Sequence, residues 1–128
     1  MKTQVIYNED LHLEHNQWNM ELNFWIDELK TFENRLEELV QKWTEVEVLA
    51  NLDRFQNQFF IHKTKIMEMK ERIEAHELNM ARHYEANENV MDRFEFKNHL
   101  AFREDIETER EMYHELKKEF YKFLTKLM

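Results

Sequence analysis

The stretch LHLEHNQWNMELNFWIDELKTFENRLEEL, residues 11–39, decides the fold of this chain. Five of its six leucines, two tryptophans, a phenylalanine and a histidine recur at alternating steps of four and three residues. That alternation is the heptad seam of a long amphipathic helix. It runs again through two later stretches, 48–83 and 95–127. The sequence therefore predicts three long helices whose seams pack against one another.

The ends of these helices must be located without the usual helix breakers, because the chain contains no glycine and no proline. Thr44 and Glu47 have the spacing of a capping box, and Asp92 with Glu95 repeats that spacing. These signals divide the helical pattern into three segments, which we predict over residues 8–42, 45–86 and 90–127.

Connections this short make neighbouring helices antiparallel. We therefore expect an all-α fold, an up-down-up antiparallel three-helix bundle, in which residues 1–128 form a single domain. One long continuous coiled coil is the alternative, and the two capping signals argue against it.

The composition excludes several classes of function. The chain has 128 residues and a formal net charge of −9, so nucleic acids and anionic lipid surfaces repel it. It contains no cysteine and no serine, which removes disulfides, thiolate metal sites and the two common catalytic nucleophiles. No apolar run reaches the ~18 residues of a membrane span, and no secretory signal is visible. We expect a cytoplasmic protein without nucleic-acid or membrane partners.

Histidines occupy several seam positions towards one end of the expected bundle. Residues of antiparallel neighbours lie at one level when they are equally far from the connecting turn. His15 and His76 are equidistant from a point between residues 45 and 46, and His76 and His99 from a point between 87 and 88. Both points fall next to predicted turns, so we expect these three histidines in one layer. His83 is the alternative to His76, but it requires a turn within 48–52, where no strong turn signal exists.

Three imidazoles with a carboxylate form a ligand set for Zn²⁺ or another divalent first-row transition metal such as Fe or Mn. Glu14 is next to His15 and Glu77 is next to His76, so we expect either carboxylate to complete the ligand set or to orient a ring. One hypothesis is therefore a metal site at the end of the bundle that holds the N-terminus of the first helix. The simpler alternative is that each histidine is a core polar group, hydrogen-bonded to a neighbouring glutamate or a buried water.

Two further polar residues, His62 and Glu109, take seam positions nearer the middle of the helices. Buried polar groups are normally hydrogen-bonded. We interpret both as paired core groups, Glu109 with the indole of Trp25 and His62 with Tyr113.

Large apolar residues also lie off the seam, among them Met20, Phe24, Phe60, Ile61 and Met67. They either widen the core or form a surface for a homodimer or another protein partner. In the absence of a catalytic motif, we favour a small acidic binding or interaction module without catalytic activity. The alternative function is a metal-binding bundle protein that uses the histidine layer.

Overall fold

The computed structural model describes residues 8–85 and 93–128, with side chains over 9–82 and 96–128. The described residues form three α-helices and no strand: α1 (Asn8–Lys42), α2 (Val46–Glu85) and α3 (Arg93–Leu127). The predicted all-α, three-helix fold is therefore confirmed. With 35, 40 and 35 residues, the helices are about 53–60 Å long at 1.5 Å per residue.

The first turn lies where the sequence predicts it. Residues 43–45 connect α1 to α2, and the Glu45 carbonyl accepts the first hydrogen bond of α2, from the Leu49 amide at 3.0 Å. The capping-box spacing of Thr44 predicts a start at residue 45, which is one residue too early. The residues predicted to form the second turn, Asp92 among them, lie outside the described residues, as does the side chain of Glu95.

The seam residues of the three helices form a continuous apolar core. Towards the end of the bundle where α1 meets α2, the rings of Phe32, Phe59 and Phe120 are buried with their centroids 5.0–5.6 Å apart. Each helix contributes one of these rings, and we call them the phenylalanine layer. Aromatic rings at such separations add to the stabilisation that their burial provides.

Charged pairs between the helices show the direction in which each helix runs. Three basic residues of α3 bind three glutamates of α1 at 2.6–2.8 Å: Arg103 with Glu14, Arg110 with Glu21, and Lys117 with Glu28. The pairs follow one another at seven-residue intervals in the same order on both helices, so α1 and α3 are parallel. Between α1 and α2 the order is reversed, as in the pairs of His15 with Glu77 and Glu33 with Lys63. The helices therefore run up, down and up.

The outer surface of the bundle is largely polar, with exposed apolar residues on all three helices. Met20, Phe24, Phe60 and Met67 are all exposed, so the alternative that they widen the core is wrong. No helix in the described part of the chain is long and apolar enough to cross a membrane.

Candidate metal centre

The three histidines that the sequence assigns to one layer lie together. His15 of α1, His76 of α2 and His99 of α3 each offer one ring nitrogen, and these atoms lie within 4.8 Å of one another. The His15 ring centroid is 5.6 Å from that of His76 and 5.1 Å from that of His99. His15 and His99 are fully buried, and His76 is partly buried. We call these residues the histidine layer.

Two glutamates accept hydrogen bonds from this layer, and we call the ring nitrogens that donate to them the outer nitrogens. The Nδ1–H of His15 donates to Glu77 at 2.8 Å, and the Nε2–H of His99 donates to Glu14 at 2.5 Å. A carboxylate accepts hydrogen bonds, so each contact fixes which ring nitrogen carries the proton. The same arrangement orients the metal-binding imidazoles of known metal sites.

Each glutamate is hydrogen-bonded to a histidine of another helix and not to the histidine next to it in sequence. Sequence adjacency pairs Glu14 with His15 and Glu77 with His76, whereas the structure pairs Glu14 with His99 and Glu77 with His15. Consecutive residues on a helix point about 100° apart, so a glutamate beside a seam histidine faces the adjoining helix. Both carboxylates therefore orient rings from outside the layer.

The inner nitrogens of two rings have no hydrogen-bond partner among the described residues. These atoms are Nε2 of His15 and Nδ1 of His99, and both are buried. The contacts with Glu77 and Glu14 leave these nitrogens unprotonated, so each presents a lone pair to the interior. A buried polar atom without a partner destabilises the fold, and one explanation is an ion that the site binds.

The spacing of the rings is compatible with a metal ion after a small inward movement. Metal–nitrogen bonds of ~2.0–2.1 Å in a tetrahedral site hold the ligand nitrogens about 3.3 Å apart. The ligand atoms of the histidine layer lie within 4.8 Å of one another, so side-chain rotation would bring them to that distance. The residues present therefore fit a metal with three imidazole ligands.

Burial keeps two of the rings in the form that binds metal. Removal from water lowers the pKa of His15 below its ordinary 6.5, and Glu77 offsets this only in part. Burial likewise lowers the pKa of His99, against the opposing effect of Glu14. Both rings are neutral at neutral pH, as metal coordination requires.

Arg103 controls the charge of Glu14. Burial by itself raises the pKa of Glu14, but the hydrogen bonds from Arg103 and His99 outweigh it and leave that pKa below 4.5. The guanidinium reaches the carboxylate through Nε at 3.0 Å and a terminal nitrogen at 2.8 Å. Glu14 is therefore ionised and able to accept the His99 N–H.

Apolar side chains close the layer on both sides along the bundle axis. On one side the Trp18 ring stacks on His99 at 5.1 Å, and Phe102 lies 5.7 Å from His76. On the other side Leu11 and Met80 form a separate small cluster with Phe96 packed against it. These walls limit the access of water to the layer, which strengthens electrostatic interactions inside it.

The predicted set and the observed set of residues differ in detail. The side chain of His83 lies outside the described residues, so the structure describes the layer with His76 only. Sequence reasoning missed His12, whose Nδ1 lies 2.7 Å from the second oxygen of Glu77, and it missed Arg103. Their heptad positions show that both residues flank the seam, but only the structure shows which carboxylate each of them meets.

A second buried polar pair lies nearer the middle of the bundle. His62 Nδ1 is 2.5 Å from Glu109, and Lys65 approaches the other carboxylate oxygen at 3.5 Å. The predicted partners were Trp25 for Glu109 and Tyr113 for His62, but Glu109 and His62 pair with each other. Tyr113 instead donates its hydroxyl to Glu28 at 2.9 Å. The two core polar groups were predicted to be paired, and they are, but with different partners.

Comparison with protein families, with curated proteins and with solved structures finds no match for this chain.

Proposed function

We propose that this protein binds a transition-metal ion through His15, His76 and His99. One observation carries the proposal: three helices bring three imidazole nitrogens within 4.8 Å of one another in the interior of the bundle. Bundle interiors are a recurrent location for metal ions held by side chains of facing helices.

The simpler alternative treats each histidine as an ordinary core polar group. It accounts for the outer nitrogens of His15 and His99, which Glu77 and Glu14 hold. It leaves the two inner nitrogens buried without a hydrogen-bond partner among the described residues. A metal ion accounts for both nitrogens of each of these two rings, because it binds the inner nitrogen while a carboxylate accepts a hydrogen bond from the outer one.

The donor set favours some metals over others. Imidazole suits Zn, Cu, Fe and Ni, whereas Mn prefers carboxylate and water ligands. Both nearby carboxylates, Glu14 and Glu77, are engaged with the outer nitrogens. Of the ions that the sequence analysis names, Zn²⁺ therefore fits better than Mn²⁺.

Titration of the metal-free protein tests the proposal. We expect Zn²⁺ to bind at one equivalent and to raise the Tm, because the unfolded chain does not hold the three ligands together. His76→Ala should remove this gain and leave the helix content unchanged. His114→Ala is the matched control, since His114 is exposed and outside the histidine layer. A Tm that stays constant with Zn²⁺, Fe²⁺, Mn²⁺ and Cu⁺ would rule the proposal out.

A second proposed function is that of an interaction module, and it rests on exposed apolar side chains. Met20, Phe24, Phe60 and Met67 are 73%, 58%, 69% and 54% exposed, so these apolar side chains are available to a partner. A homodimer or protein partner would cover them, and a cytoplasmic location is part of this proposal. Sedimentation at micromolar concentration tests it: association that Phe24→Glu abolishes supports the module, and a monomer at all concentrations excludes the homodimer.

A further inference from the structure

We infer that the metal of the histidine layer is copper in the +1 state, and that the thioether of Met80 is its fourth ligand. This inference rests on the proposed metal-binding function and adds the identity of the metal and of one ligand. Three features carry it: the position of Met80, the charge around the layer, and the softness of the four donors.

Met80 occupies the position from which a side chain reaches the layer. It follows His76 by four residues on α2, so the two side chains lie on the same face of the helix. Long side chains on a helix lean back towards its N-terminus, over the residue four positions earlier. For Met80 that direction leads to His76. The side chain is 5% exposed and belongs to the small apolar cluster that closes the layer.

The opposite wall offers no comparable donor. Trp18 and Phe102 lie there, and neither side chain is a metal ligand. On the Met80 side, the neighbours Leu11 and Phe96 are hydrocarbon. Among the described apolar side chains that enclose the layer, the sulfur of Met80 is thus the atom with a lone pair suited to a metal. A thioether also needs no hydrogen-bond partner in this water-poor location.

The charge around the layer favours a monovalent ion. Glu14 is neutralised by the guanidinium of Arg103 at 2.8 Å. Glu77 binds the imidazoles of His12 and His15, and no lysine or arginine in the described part of the chain pairs with it. Among the described residues, one carboxylate charge therefore balances one positive charge on the metal. A divalent ion would leave an excess charge in the interior, and the desolvation penalty rises with the square of the charge.

The donors match copper in its lower oxidation state. Thioether ligands select Cu(I), and imidazole suits copper as well. Three neutral imidazoles and one neutral thioether complete a four-coordinate site without water. Zn²⁺ is expected to bind the same three imidazoles, but it gains little from the thioether because it prefers nitrogen, oxygen and thiolate donors.

Competition for Cu(I) under anaerobic conditions tests the inference. The metal-free protein is titrated with Cu(I) in the presence of bicinchoninate, and with Zn²⁺ in a parallel series. Met80→Leu keeps the volume and the apolar wall but removes the sulfur. Met69→Leu is the matched control, since Met69 is also a buried methionine of α2 but belongs to the main core.

We expect the unaltered protein to bind one equivalent of Cu(I). Met80→Leu should bind Cu(I) at least about tenfold more weakly, whereas Met69→Leu should bind it with unchanged affinity. The Zn²⁺ affinity should be the same in all three proteins. X-ray absorption at the copper edge should show one sulfur in the first coordination shell, and that sulfur should be absent in Met80→Leu.

Two results would overturn the inference in distinguishable ways. If Zn²⁺ binds and Met80→Leu holds Cu(I) as tightly as the unaltered protein, then the thioether ligand is excluded and the three-histidine site stands. If neither ion binds, the proposed metal-binding function fails and the inference fails with it.

Discussion

The phenylalanine layer and the histidine layer have the same construction and opposite chemistry. Each takes one ring from each helix, and the measured centroid distances lie between 5.0 and 5.6 Å in both. Phenylalanine rings carry no hydrogen-bonding group, so burial and ring–ring contact stabilise them without a polar partner. Imidazoles carry two nitrogens each, and every buried nitrogen requires a partner.

The comparison shows where this fold departs from maximal stability. A bundle that packs phenylalanines at one end has the geometry to pack apolar residues at the other. It buries His15 and His99 instead, with one nitrogen of each ring unpartnered among the described residues. Natural sequences break the rules of core packing mainly at functional sites. The difference between the layers is therefore the argument for a ligand.

The largest expected effect is at the phenylalanine layer. Phe59→Ala should lower the free energy of unfolding by about 3–5 kcal/mol, because it leaves a cavity among the rings of Phe32 and Phe120. Urea unfolding followed by circular dichroism measures it. Phe60→Ala is the matched control, since Phe60 is exposed and should change stability by less than about 0.5 kcal/mol. Similar losses in both variants would show that the layer is not a packed core.

The histidine layer should respond in the opposite direction. In the metal-free protein, His99→Leu removes the unpartnered nitrogen and leaves Glu14 bound to Arg103. We expect a protein roughly 0–1 kcal/mol more stable than the original in urea unfolding. The Tm gain with Zn²⁺ should disappear. A loss of stability in the metal-free state would mean that the layer serves packing and not ligand binding.

The two layers should also differ in how they make the stability of the protein depend on pH. Burial lowers the pKa of His15 and His99, so below pH 6.5 the unfolded chain takes up protons that the folded chain does not. The contribution of the two neutral rings to the free energy of unfolding is complete above pH 6.5. It is lost as the pH falls through their lowered pKa values. Unfolding of the metal-free protein at several pH values from about 7.5 to about 5 measures the slope. His99→Leu should flatten it, and an equal slope in both proteins would contradict the burial argument.

The smallest expected effect concerns Arg103, which holds Glu14. Arg103→Gln should reduce stability by only ~0.2–1 kcal/mol, because the pair is partly exposed to solvent. It should nevertheless weaken Zn²⁺ binding about tenfold, since the support of His99 by Glu14 is impaired. Arg110→Gln is the matched control, because Arg110 binds Glu21 one heptad further on. Equal effects of both variants on Zn²⁺ affinity, measured by calorimetry, would remove Arg103 from the site.

Much of the fold and part of the site follow from the sequence alone. The seam periodicity determines three helices, and the polar cap signal locates the first turn to within one residue. Counting outwards from a turn then assigns levels, which is how His15, His76 and His99 are placed in one layer. This works because an antiparallel helix pair is close to a one-dimensional object, with a constant rise per residue on both sides of the turn.

Lateral relations were decided only by the tertiary structure. Levels along the axis are the same whichever side of α1 the third helix occupies, so counting does not reveal which flanking residues meet. The observed arrangement places Arg103 and His99 beside Glu14, and Glu77 beside His15. It also determines which ring nitrogens remain inside without a partner, and with them the chemistry of the layer. The physical reason is that the seam specifies the depth and level of each residue, whereas the packing of three helices around one another specifies its neighbours.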